Sequence, residues 1–496
     1  MSDILKGGRV SGLEEGALKF ISSVEWDVKI LKHVLDINKA HIIMLIERGI
    51  IPGGEGSKIL EVLLELDSDF PLKSKSDVED IHVLVEEEVI RRVGMDVGGN
   101  INIAKSRNDQ VATAIRMALR EEILSIMGAA LALQESLLEV AGKNTDTIIP
   151  GYTHLQPAQP ITLAHYLLAQ FDALQRDLER LLDAYKRVNL CPMGAGALAT
   201  TSFLISRERI AELLGFGGLI ENSIDAVRSR DFLLEILAAL SIMAVNLSHF
   251  VEDLIIWSSM EFGLIVLPDG FTSTSSIMPQ KKNPDVLEVI RARISLILSD
   301  FMAASMMLKG LPSTYNLDFQ EATPRLWDAC SVVRESLKLL SELTRGLKVK
   351  AEVSDKPFLS FMAATELANM LVRSYHLPFR VAHKIVGSLV KTLIDSGKTL
   401  SDATPPLLAE ISARFLDQPI YVGEEDLRGA VSLRGVVDSH KIRGGPSRDE
   451  VERMLSERTL SLGRFREVVS RLRKEIIASR DKLNSMVRSY VSAPKV

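Results

Sequence analysis

Cysteine is almost missing from this sequence: Cys191 and Cys330 are the two in 496 residues. Two thiols cannot build a disulfide framework, and zinc-type cysteine spacing is absent, so a cytoplasmic, reducing setting is expected and no metal centre. A surplus of positive charge is missing too. Lys and Arg number 59 against 65 Asp and Glu, a formal net charge of 59 − 65 = −6. A general nucleic-acid or anionic-membrane partner would want a basic face, so neither is expected. An anionic substrate would need positive charge gathered locally. The opening MSDILKGGRVSGLEEG has no apolar run behind positive charge, so no secretory leader is read there. The most apolar stretch, Phe232 to Leu247, is shorter than a membrane span needs and is interrupted by Glu235. It reads as a core helix.

Glycine and proline are also absent from Leu219 through Phe262. Ordinary globular helices are much shorter than that window. Within it Phe232, Ile236, Leu240, Met243, Leu247, Val251, Leu254 and Trp257 recur at helical spacing. Similar windows run from Asp109 to Met127, Ile161 to Leu190, Asp285 to Lys309 and Arg325 to Arg345. Five long helices without a convincing run of strands predict an all-α protein built on a helix bundle. Helices apolar on more than one face need cover, so an oligomer is expected. The chain is long enough for two or three domains. Shorter segments flank the bundle, split by Pro52, Gly53, Gly54 and Pro71 on one side and by Pro378, Pro405, Pro406, Pro419 and Gly444 to Pro446 on the other. The expected division is an N-terminal helical domain over 1–107, a central long-helix bundle over 108–356 and a C-terminal helical domain over 357–496.

Loops between rigid helices are where chemistry concentrates, and four segments are unusual for connectors. GFTSTSSIMPQKKNPD, Gly270 to Asp285, sets hydroxyls before two lysines and Asn283. Hydroxyls and amides near Ser275 could hold a carboxylate, with Lys281 or Lys282 neutralising charge that develops on it. The same composition also describes a polar connector with solvated lysines. PGYTHLQPAQP, Pro150 to Pro160, stiffens the backbone on both sides of His154, which titrates near neutrality. His165, further on, reads as packing. KSRNDQ, Lys105 to Gln110, opens a long helix, with Asn108 or Asp109 as the expected N-cap and positive charge beside it. YNLDFQE, Tyr315 to Glu321, says little alone.

Together these segments resemble the fumarase/aspartase superfamily, which includes δ-crystallin, and within it the argininosuccinate lyases. The superfamily's signature loop reads roughly GSSxMPxKxNP, and here it is TSSIMPQKKNP, Thr274 to Pro284. SRNDQV from Ser106, GYTHLQ from Gly151, NSIDAV from Asn222, RDF from Arg230, KGLP from Lys309, the YNLDFQE segment and LPFR from Leu377 follow the lyase's order. The resemblance implies a three-domain, all-helical homotetramer with sites shared by three subunits, a small-molecule substrate and no cofactor. The reaction implied is reversible elimination of arginine from argininosuccinate to give fumarate. By position, Ser275 matches the catalytic serine, His154 the catalytic histidine and Glu288 the carboxylate that orients it. Lys281 and Asn283 would stabilise the dianion formed when a proton leaves the carbon beside a carboxylate. Which of Ser275 and His154 is base and which acid stays open. Ser23, Asn108, Thr153, Asn283, Tyr315 and Gln320 match substrate-contact positions, and Asp27 and Arg107 are neighbours of matching type. Alternatives are another fumarate-producing lyase of the superfamily, such as adenylosuccinate lyase, or a non-catalytic crystallin-like relative.

Some positions depart from the pattern. Thr274 replaces a glycine, which should alter the loop's geometry or mobility. Lys105 replaces a common arginine, Asn102 and Ile103 leave the usual His-Thr pair, and Thr323 stands where many members carry a substrate-binding lysine. Arg325, two residues on, is the candidate to replace that charge.

Overall fold

The computed structural model describes residues 13–71, 78–350 and 356–492. Most of the opening stretch read above for a leader lies outside them. All five expected long helices are present, as Arg107–Gly142, Leu163–Val188, Asp231–Ser258, Asp285–Leu308 and Asp318–Arg345. They pack side by side as a bundle, the first against the second and the fifth, the third against the fourth. Their ends are set locally. Ser106, not Asn108 or Asp109, caps the 107–142 helix: its side chain accepts from the Asn108 amide while Asp109 reaches back to the Ser106 amide at 3.0 Å. The correction follows from the reciprocal capping box, in which the acid three residues on belongs to the partner role. Thr162 caps the 163–188 helix through the His165 amide at 3.1 Å.

The fifth helix begins at Asp318 rather than at Arg325 and carries Pro324 inside it. A proline there gives no N–H to the Gln320 carbonyl one turn back, which is why the pattern alone starts the helix after it. Thr323 bonds its hydroxyl to the Phe319 carbonyl at 2.8 Å in the same turn.

The expectation that segments shorten beyond Pro357 holds only as far as Pro446. Arg448–Ser492 is a single helix of 45 residues. It lies along the 107–142 helix and the N-terminal helices Leu31–Glu47 and Gly53–Ser68. Its few buried residues include Leu462, Val469 and Leu483, too sparse a stripe to stand out by composition. The main core runs from Val24 through Val349 and takes in this last helix, while residues between Ala363 and Val436 form a separate, smaller core.

By length and composition Arg107–Gly142 and Asp231–Ser258 could each cross a membrane. Both are built into the core instead. Arg116 and Arg120 on the first are buried and spend their guanidinium groups on internal carbonyls, those of Arg187 at 2.7 Å and Gly215 at 2.7 Å among them.

Candidate active site

At one end of the bundle the start of the 107–142 helix, the start of the 318–345 helix and the N-terminal segment meet. They enclose a cleft of about 130 Å³ lined by Ser23, Asp27, Arg107, Asn108, Tyr315 and Gln320, with Glu79, Asp80, His82 and Arg230 among the rest. Segments far apart in sequence are thus brought together within one chain. The Ser23 hydroxyl donates to Asp27 at 2.6 Å, and Arg107 pairs with Asp80 at 2.7 Å and Glu79 at 3.2 Å. Burial pushes the Asp27 carboxyl up to about 7, with repulsion from Asp80 adding to it, against the Ser23 and Ile81 donors. Burial holds His82 down at about 4. Tyr315 stands edge-on to Phe319, ring centres 5.5 Å apart, and Gln320 donates to the Ile21 carbonyl at 2.7 Å. Asn108 donates to the Ala197 carbonyl at 3.2 Å.

Beneath the cleft, Asp109 is fully buried and accepts from the amides of Gly194 at 3.0 Å and Gly196 at 2.8 Å. It pins the 194–196 loop to the helix start that carries Asn108. Burial raises its carboxyl to about 6.

His154, Ser275, Lys281 and Glu288 do not line this cleft, nor do Thr153 and Asn283. His154 and Leu155 form the tip of an antiparallel hairpin, Ile148–Thr153 with Gln156–Thr162, closed by the Thr153–Gln156 pair. Both tip residues have left-handed backbone, with φ of 55° and 57°. Such a two-residue loop normally recruits Asn and Gly, because a side chain there costs roughly 1–2 kcal/mol. Gly151 is required by close approach: a Cβ would sit 2.8 Å from the Gln159 carbonyl. The hairpin thus presents His154 at an exposed tip. Pattern reading found the stiffness of this segment but not the strand pairing, which three prolines obscure.

The signature segment is a second hairpin. Ser273 pairs with Asn283 and Thr274 with Lys282, so Ser275 to Lys281 form the loop. The Ser275 oxygen accepts from the amides of Ile277 at 3.3 Å and Met278 at 3.2 Å. Two donors aimed at one oxygen favour its anionic form. Lys282 is spent on Asp269 at 2.6 Å and the Leu267 carbonyl at 2.6 Å. Lys281 is exposed and makes no ion pair among the described residues. Glu288 lies exposed in the first turn of the 285–308 helix. No hydrogen bond joins it to His154 among the described residues. Thr274 sits in the extended ladder with no positive φ, where a β-branched residue is at ease.

Two expectations about charge are corrected. Arg325 does not reach the cleft: it lies 3.5 Å from Asp300 and 3.6 Å from Asp328, because it follows Thr323 by half a turn and faces the neighbouring helix. Lys105 also turns away, donating to the Asn38 side chain, and burial lowers its ammonium to about 7. Arg230 was visible in the sequence only as part of a motif, yet its side chain is 4% exposed and lines the cleft. A lone arginine before a helix gives no periodic signal.

Comparison with known proteins matches two stretches to family models, one described as lyase over residues 44–298 and one described as the argininosuccinate lyase C-terminal region over 361–438. Argininosuccinate lyase of Methanocaldococcus jannaschii is 41% identical over 494 residues, covering 99% of each chain. That of Methanothrix thermoacetophila is 44% identical over 457 residues, 92% of each. Among solved structures, EDDS lyase in complex with formate superposes with a TM-score of 0.85 at 28% identity, covering 99% of both chains. A class II fumarase from Schistosoma mansoni, at 18% identity and a TM-score of 0.67 over 82% of this chain and 90% of its own, shares the fold.

Proposed function

The chain belongs to the argininosuccinate lyase family, and we propose that it cleaves argininosuccinate reversibly to L-arginine and fumarate, the closing step of arginine biosynthesis. The full-length likeness to argininosuccinate lyases carries this reading. Removing a proton from the succinyl carbon leaves electrons that must spread into the adjacent carboxylate. Lys281 and Asn283 hold that dianion, since preorganised charge there is the largest catalytic term in reactions of this type. The carbon–nitrogen bond then breaks, and the guanidinium nitrogen leaves with a proton. Ser275 and His154 divide the two proton transfers, and Glu288 orients His154. Ser23, Asp27, Arg107, Asn108, Thr153, Tyr315 and Gln320 hold the rest of the substrate.

The active form is a homotetramer with each site drawn from three chains. Two features support this. The cleft that carries most of the binding groups lacks His154, Ser275 and Glu288, and its roughly 130 Å³ is below the about 300–1,000 Å³ usual for small-molecule sites. The bundle also leaves an apolar stripe exposed on the 285–308 helix, with Val289, Leu296 and Met306 at 48%, 57% and 70% exposure. On that helix Val289, Leu296 and Ala303 recur every seven residues, as do Ala292, Ser299 and Met306, the spacing of a helix-pairing seam. A cytoplasmic location is part of the same reading.

The test is to supply the purified protein with argininosuccinate and, separately, adenylosuccinate, and to follow fumarate by ultraviolet absorbance. Turnover of the first alone is expected. Turnover of the second alone would overturn the assignment.

A further inference from the structure

Among the described residues, the cleft contains one cation that no carboxylate pairs with. Arg107 is neutralised by Asp80 and Glu79. Thr323 lines the cleft without charge, and Arg325 is turned to Asp300 and Asp328. Arg230 is different. Its Nη1 donates to the Ser229 carbonyl at 2.9 Å and the Val227 carbonyl at 3.2 Å, and its guanidinium carbon lies 4.5 Å from the centre of the Phe319 ring. Its Nε and Nη2 are buried and have no hydrogen-bond partner among the described residues. Burial pulls its pKa down to about 10, and the phenol of Tyr315 is the one titratable group that acts the other way.

Folding rarely leaves a buried guanidinium with two idle donors, because desolvating charge without a partner is costly. The aromatic face of Phe319 offsets part of that cost and fixes the guanidinium plane. The idle pair, Nε and Nη2, is the edge that a carboxylate takes with two parallel hydrogen bonds. On the reading given above, the succinyl carboxylate that takes up the dianion is held by Lys281 and Asn283. The arginine portion carries a further carboxylate, its α-carboxylate, which needs a cation of its own.

We propose that Arg230 is the anchor for the α-carboxylate of the amino-acid half of the substrate, completing a cleft whose other arginine, Arg107, is already paired. Arg230 is then a binding residue that discriminates an amino acid from the corresponding amine. The idea rests on the argininosuccinate reading and is separable from it.

The experiment uses the full-length enzyme and two ligands that differ by one group: arginine and agmatine, which lacks the carboxylate. Calorimetric binding and product-type inhibition are measured for wild type, Arg230→Gln and Arg230→Lys, with circular dichroism to verify folding. Wild type is expected to prefer arginine over agmatine by roughly tenfold or more, the worth of a charge-assisted hydrogen bond. In Arg230→Gln that preference should vanish, agmatine binding and fumarate inhibition should be unchanged, and KM should rise more than kcat falls. Arg230→Lys should keep part of the preference, and it serves if the glutamine variant does not fold. An unchanged preference in a folded variant, or a wild type that binds both ligands equally, overturns the proposal. A wild type that binds neither ligand and leaves argininosuccinate intact instead overturns the substrate reading, and Arg230's role falls with it.

Discussion

Around Asp27 and Arg107 the charged groups find one another inside a single chain: Arg107 sits on Asp80 and Glu79, and Ser23 on Asp27. Around His154 and Ser275 they do not: His154, Lys281 and Glu288 are exposed at the tips of hairpins or a helix start, and Lys281 has no ion-pair partner among the described residues. The first region is a preformed cleft. The second presents groups on rigid stems, and on the proposed reading their partners come from another chain. An enzyme divided this way can place a reactive loop with little internal strain, at the cost of depending on assembly.

The comparison breaks most visibly at the reactive end. Ser275→Ala should lower turnover about 10²- to 10⁴-fold, the usual share of a positioned proton-transfer group, with arginine affinity nearly intact. If steady-state turnover stayed near wild type, the division into binding and reacting halves would be wrong. Next in size is the contrast between adjacent lysines. Lys281→Met should lose about 10²- to 10³-fold in kcat, because its charge is free for the dianion. Lys282→Met should lose far less, since Lys282 is tied to Asp269 and Leu267. Equal losses in the two would remove the argument from pairing.

The binding half is sharpened by pH. Asp27 has a folded pKa of about 7 against 3.8 for the free side chain. A raised carboxyl binds its proton more tightly in the folded state, so its stabilising contribution is full below about pH 4 and fades as pH rises through 7. Asp27→Asn should flatten the fall in melting temperature between pH 4 and 8. A slope identical to wild type would show that Asp27 titrates normally. The smallest effect is expected at the hinge of the reactive loop. Thr274→Gly should change turnover less than about tenfold, because Thr274 is already extended and paired with Lys282. A large rise or fall in kcat would mean that loop geometry is limiting there.

Much of this was legible in the sequence, and unevenly so. The five bundle helices follow from uninterrupted apolar spacing at Phe232 to Trp257 and its counterparts. The 448–492 helix escaped because charged residues dominate it. Its signal is a seven-residue recurrence, Leu455, Leu462, Val469, Ile476, Leu483 and Tyr490, each packed in the main core. Motif resemblance placed Ser23, Asp27, Arg107, Asn108, Tyr315 and Gln320, which the fold brings to one cleft. It could not place Arg325, because two residues along a helix turn a side chain to another face. Nor could it distinguish Lys281 from Lys282, whose difference lies in a contact with Asp269. Arg230 matters through what it lacks, two hydrogen-bond partners, and no sequence pattern records that.

The central claim is that binding and reacting halves of a site come from different chains. It is tested most directly by mixing two inactive variants, Ser275→Ala and one crippled in the cleft, such as Gln320→Ala, after unfolding and refolding together. If the halves belong to different subunits, random assembly leaves about a quarter of sites with both parts intact, since each part is drawn wild type half the time. The account predicts recovery of about that fraction of wild-type fumarate production. Co-refolded tetramers as inactive as either variant alone would contradict it.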